Sequence, residues 1–141
     1  MPDPRSEAIT AIRTRLATIT GLWPVAYSGK PCTQTGVAYL EEEIILGAED
    51  DAEIPQVGQP RLREGREAYQ MTLRMPIGDD IRIATEQAGL IARAFLDNSD
   101  PVVTDSGVPL WFSGYRLNSR GSDSGWQRFV LVLTYTYIYT A

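Results

Sequence analysis

The 141-residue chain contains no histidine, one cysteine and one lysine. The missing histidine removes the Ser-His-Asp and Cys-His nucleophile systems, and the common zinc sites, in one step. Cys32 stands alone, which excludes an intrachain disulfide and makes a reducing cytoplasm the natural home. Lys30 is one of 13 basic side chains, so 12 are arginines. Arginine suits bidentate ion pairs at interfaces better than it suits proton transfer. No apolar run reaches the ~20 residues of a membrane helix. The opening Met-Pro-Asp-Pro-Arg-Ser-Glu has no hydrophobic region behind it, so no signal peptide is expected. The net charge is −5 and the basic residues are scattered, unlike a nucleic-acid footprint. Neither a Walker loop nor G-x-G-x-x-G occurs.

What is present suits one globular domain over 1–141, with 43% hydrophobic residues to build its core. The most ordered stretch is the last, Trp126 to Tyr139. It is β-branched, aromatic or Leu at nearly every position, without Gly or Pro. Alternation puts Phe129, Leu131, Leu133, Tyr135, Tyr137 and Tyr139 on one face. Val130, Val132, Thr134, Thr136 and Ile138 take the other. Both faces are largely apolar, so both are expected to be covered for much of the length. Two arrangements remain open: a long central strand, or a strand whose tyrosine-rich end, Tyr137 and Tyr139, packs on another copy of the chain.

Upstream, Asp3 as N-cap and Pro4 at the first position predict a helix to about Thr20, with Ile9, Ile12, Leu16 and Ile19 on one face. Arg5 and Arg13 fall largely elsewhere. Short strand character follows at Val25–Tyr27, between Pro24 and Pro31. A strand at Val37–Leu46 carries Glu41, Glu42 and Glu43, charge that predicts an exposed or edge position over part of its length. Residues 47–65 read as a long charged loop, acidic first (Glu49, Asp50, Asp51, Glu53), then basic (Arg61, Arg63, with Arg66 just beyond). Arg66–Met75 alternates cleanly, with Tyr69, Met71, Leu73 and Met75 facing in. Asp79 is the expected cap of a second helix lined by Ala84, Ala88, Ile91 and Phe95, with Gly89 and Ala92 keeping it thin. Strands at Val102–Thr104 and Val108–Leu117 and a turn over Asn118–Gly125 complete the chain. The expected fold is α+β, in the order α-β-β-β-α-β-β with room for one small extra strand. It is a largely antiparallel or mixed sheet of four to five strands with both helices on one face.

Chemistry finds little support. The acids at 49–53 lack EF-hand spacing and read as a solvated or partner-facing loop, so no metal or cofactor is expected. Gly121-Ser122-Asp123-Ser124-Gly125 has Asp where a nucleophile elbow needs Ser. Cys32 has no base near it in sequence. Trp23, Trp111 and Trp126 are not interleaved with basic residues, unlike a base-stacking platform. The reading is of a chain that binds proteins and is not an enzyme. Glu49, Asp50, Asp51, Glu53, Arg61, Arg63, Arg66, Tyr137 and Tyr139 are its candidate interface residues.

Several features run in a recognisable order. A helix over Ile9–Ile19 leads to Trp23-Pro24. Tyr39-Leu40 and Leu46 mark a strand, and a charged loop closes on Arg63-Glu64-Gly65. Then come Tyr69-Gln70-Met71-x-Leu73, the turn Pro76-x-Gly78, an Ala-rich helix ending at Phe95 and a closing hairpin. This order resembles the tail terminator family of lambda-type long-tailed bacteriophages and related phage-like particles. The resemblance implies a hexameric ring in the virion tail, assembled in the host bacterial cytoplasm. The ring would cap the tail tube, stop its polymerisation and present a surface for head joining. The implied partners are further copies of the chain, the tail tube protein and a neck or head-completion protein. DNA would pass the lumen without specific binding, and no membrane is involved. Another neck, head-closure or tail-completion protein is the second reading. A small carboxylate- and arginine-based α+β enzyme is the third.

Overall fold

The structure is a computed structural model that describes residues 3–28, 37–51, 62–97 and 99–140, with only the backbone described for 44–51. Its elements are α1 (Pro4–Ala17), β1 (Val25–Ala26), β2 (Tyr39–Asp51), β3 (Leu62–Pro76), α2 (Arg82–Phe95), β4 (Val102–Val103), β5 (Pro109–Asp123) and β6 (Trp126–Thr140). The six strands form one sheet in the order β1-β2-β3-β6-β5-β4. β1 runs parallel to β2 and every other pairing is antiparallel. The α+β architecture is the expected one, with six strands in place of four to five.

The sheet is built on β6. It pairs with β3 without a break from Leu62↔Thr140 to Pro76↔Trp126, and on its other side with β5. The Val/Leu/Tyr-rich stretch is therefore the long central strand. Side chains at opposed register positions share a face, so the sheet divides cleanly. The helix face carries Leu40, Tyr69, Met71, Leu73, Phe112, Leu131, Leu133, Tyr135 and Tyr137, all buried in one core with Ile12, Leu16, Ile91 and Phe95 of the helices. The opposite face carries Val130, Val132, Thr134, Thr136 and Ile138. Ile138 is 54% exposed there. The expectation that both faces of the last strand are covered fails in the single chain, because both helices pack on the same side.

Asp3 caps α1 as expected, its carboxylate accepting from the Arg5 amide at 3.1 Å. The helix ends at Ala17 and buries Ala8, Ile12 and Leu16, while Ile9 and Ile19 lie half-buried at the flanks. α2 begins after Ile81 rather than Asp79, and Asp80 is the acid that meets its first turn, accepting from the Arg82 amide at 3.0 Å. Gly89 faces open space, so packing does not demand its missing side chain. Ala92 is buried. Gln87 does what the periodicity did not suggest. Its side chain accepts from the Trp23 amide at 2.9 Å and donates to the Gly21 carbonyl at 3.0 Å, pinning the chain that leaves α1.

Two turns of the expected topology are displaced. The loop foreseen at 47–65 is shorter, because β2 runs on to Asp51 and β3 begins at Leu62. The polar stretch Asn118–Asp123 continues β5, with an irregularity between Ser119 and Ser122 where Gly121 takes φ +76°. The hairpin proper is Ser124-Gly125, both with positive φ, the two-residue turn whose twist matches the flanking strands.

Gly65 has a packing role of its own. It stands opposite Tyr137 in the ladder, and the Tyr137 ring lies across the space a side chain at 65 would fill. That ring is held between Tyr135 and Tyr139, with centroids 6.2 and 5.9 Å away. Gly65→Ala should therefore cost about 1–3 kcal/mol by overpacking. Urea unfolding checks this, and an unchanged midpoint would show that the ring moves aside freely.

Candidate functional site

Two buried glutamates join α1 to the sheet. Arg5 and Arg13 are eight residues apart, about 12 Å along the helix, and each reaches a carboxylate on the helix face. Arg13 donates to Glu42 through Nε at 2.9 Å and through Nη2 at 2.5 Å. The Tyr69 hydroxyl donates to the same carboxylate, as does the Ser28 amide at 3.1 Å. Arg5 Nε lies 2.8 Å from Glu67. Glu67 also accepts from the hydroxyls of Tyr135 at 2.9 Å and Tyr137 at 3.3 Å. Burial alone would raise the Glu42 carboxyl, but the bonds from Arg13, Tyr69 and Ser28 outweigh it and hold it below the usual carboxylate range. Burial, then the Glu42 hydrogen bond, push the Tyr69 phenol far up. Burial and Glu67 do the same to Tyr135. Neither Glu42 nor these phenols changes protonation near neutral pH. The first cluster is a committed electrostatic clamp, with its lone pairs spent on fixed donors.

The strand pattern contained a signal for this. Glu42 shares parity with Leu40 and Ile44, and Glu67 with Tyr69 and Met71. A carboxylate set among inward apolar positions needs a buried partner. The expectation of an exposed Glu42 fails for that reason. Over most of its length, however, β2 is an edge among the described residues, since β1 covers only Leu40 and Glu41.

The candidate interface residues separate. Glu49, Asp50 and Asp51 lie on strand rather than loop, in register with Gly65, Glu64 and Arg63. Of these three acids, only Asp51 stands opposite a basic residue in the chain's own ladder. Glu53 and Arg61 lie outside the described residues. Arg63 is half-buried on the helix face beside Tyr139. Arg66 is exposed on the opposite face, 3.3 Å from Glu64. Tyr137 is 1% exposed and belongs to the chain's own core. Tyr139, half-buried, stacks on it. The tyrosine end therefore packs within the chain, as in the central-strand arrangement, and Tyr137 is a core residue rather than an interface one.

What remains accessible is the face away from the helices. Arg74 pairs with Glu41 there at 2.8 Å. Gln70 and Thr72 donate to Glu43 at 2.6 and 2.9 Å. A shallow hollow of about 470 Å³ lies over these groups, with Arg120 and Arg128 on its rim. Further along, Trp111 is 44% exposed near Thr136 and Ile138. The surface is broad, mixed in charge and dominated by arginine, threonine and glutamate. Such a surface suits a protein partner better than a small substrate.

No family model matches the chain, and no curated protein does. Solved structures do. One, whose description states no activity, aligns with a TM-score of 0.70 at 20% identity, covering 96% of this chain and 96% of its own. Another is described as "Virion of native gene transfer agent (GTA) particle". It aligns with a TM-score of 0.62 at 17% identity, covering 92% of this chain and 93% of its own. At these identities the likeness establishes a shared fold, carried almost end to end.

Proposed function

We propose that this chain is a phage-like virion structural protein, and more narrowly a tail terminator. In that role copies of it form a ring on the end of a tail tube, stop tube growth and offer the head a joining surface. The ring is a hexamer, its partners are the tube protein and a neck protein, and DNA passes through without specific contacts. The observation that carries this reading is the fold shared over nearly its whole length with a chain of a gene transfer agent virion. The site chemistry agrees with a non-catalytic role. The buried Glu42 carboxylate is saturated with hydrogen bonds, and the accessible face is broad and arginine-rich. A ring also needs an interface that is heterologous and closes, and the sheet ends in two different edges.

The direct test adds the purified chain to polymerising tail tube protein and measures tube length by electron microscopy. Capping predicts tubes that stop at lengths set by the time of addition, with extra density at one end. Tubes that grow unchanged, beside a chain that binds a head-side connector instead, would favour the neck-protein reading.

A further inference from the structure

The two long edges of the sheet are chemically opposite. β4 covers β5 only at Pro109 and Leu110, so β5 from Trp111 to Ser119 presents an outer edge with no strand beside it among the described residues. On the far side, β1 covers β2 only at Leu40 and Glu41. Ser28 Oγ donates to the Glu42 carbonyl, which leaves Glu43–Asp51 as a second edge with no strand beside it among the described residues. The uncovered part of β2 holds four acids, Glu43, Glu49, Asp50 and Asp51, and no basic residue. β5 holds Arg116 and Arg120 against the single Asp123. Uncovered backbone donors and acceptors are a template for strand addition, and charge decides which edge adds to which. β2 against β2 would set acids against acids, and β5 against β5 would set arginines against arginines. Only β2 against β5 brings unlike charges together.

Direction agrees with charge. β2 and β6 both run antiparallel to β3, and β5 runs antiparallel to β6. β5 and β2 therefore point opposite ways. Rotation about an axis along the strands would bring β5 of one copy beside β2 of the next as an antiparallel pair, continuing the ladder. Level matters too. Glu43, Gln70, Val132 and Arg116 occupy one row across the sheet, so the two edges carry opposite charge at the same height.

We infer that copies of this chain join head to tail by adding the outer edge of β5, around Arg116, to the outer edge of β2, around Glu43. The partner is a second copy. The contact is heterologous, so it propagates until it closes, which deepens the ring reading above and rests on it.

The test uses the full chain and two charge swaps. Arg116→Glu sets an acid level with Glu43, and Glu43→Arg sets an arginine level with Arg116. Each variant alone should self-associate about tenfold or more weakly than wild type, as like charges replace an attractive cross-strand pair. An equimolar mixture should recover assembly, since each altered edge then meets its complement. Urea midpoints separate a lost contact from a lost fold. Independently, hydrogen exchange on the unaltered chain should slow at outer-edge amides of Trp111–Ser119 and Glu43–Asp51 when oligomers form. Oligomers in which both edges exchange as in the monomer, or variants that assemble alone like wild type, overturn the edge pairing and leave the ring reading intact. A chain that stays monomeric both alone and on tube ends overturns both.

Discussion

Arg13→Ala is expected to destabilise the chain by about 3–5 kcal/mol, because it strands a buried carboxylate. The magnitude is large against the ~5–15 kcal/mol that holds a domain together. The partners of this ion pair are not equivalent. The Glu42 side chain has no exposed surface, whereas that of Arg13 is 34% exposed. Without glutamate the arginine turns to water, but without arginine the glutamate has nowhere to go. Glu42→Gln should therefore cost less, about 1–3 kcal/mol for imperfect hydrogen bonding to Tyr69 and Ser28. Equal losses in urea unfolding would refute this asymmetry.

The pH dependence gives a second signature. In the native chain the Glu42 carboxyl lies below its ordinary value of 4.5. Its contribution is fully present above that value and is lost as pH falls through the lowered one. In Arg13→Ala burial is opposed only by the bonds from Tyr69 and Ser28, and the carboxyl moves upward. The Glu42-dependent slope of stability with pH should therefore change between wild type and Arg13→Ala, and should vanish in Glu42→Gln.

Tyr137→Ala should be of similar size, about 3–5 kcal/mol, the cost of deleting a large aromatic from a core. The ring covers Gly65, stacks between two tyrosines and sends its hydroxyl to Glu67. Truncation after Thr136 should lose at least as much, and the loss should appear in the monomer. This selects one of the two arrangements the sequence leaves open, the one in which the tyrosine end serves the chain's own core. Tyr137→Phe keeps the ring and gives up one hydrogen bond, so about 1 kcal/mol is expected. The check is unfolding at concentrations where only monomer exists. If Tyr137→Ala keeps its monomer midpoint and loses only assembly, the ring belongs to an interface after all.

Strands β3 and β6 were legible because a period of two with one apolar parity leaves little choice once one face is buried. The helices were legible from caps and spacing, with ends displaced by a few residues. Other elements were hidden for identifiable reasons. Glu49, Asp50 and Asp51 are poor strand formers by propensity, yet pairing with β3 extends β2 through them. Asn118–Asp123 contains nothing apolar, and only the partner strand β6 holds it extended. The clamps at Glu42 and Glu67 were half visible. Strand parity placed each glutamate inward, but nothing in the sequence linked them to arginines 29 and 62 positions away, respectively. The proposed function drew on the order of elements, since no single motif carries it. That is the form the evidence takes if the work is done by surfaces rather than by a reacting group.

The strand that comes last among the described elements lies in the middle of the sheet. β6 fills the slot between β3 and β5. Without it, β2–β3 and β5 have no common neighbour, and the core lacks the Leu131, Leu133, Tyr135 and Tyr137 that tie its halves together. Its hairpin with β5 is local, but its ladder to β3 joins residues far apart in sequence, so closure of the sheet waits on β6. Until then the paired edges that could recruit another copy do not exist in their finished arrangement. On the edge pairing inferred above, a chain that lacks β6 should therefore fail to assemble without any dedicated checkpoint.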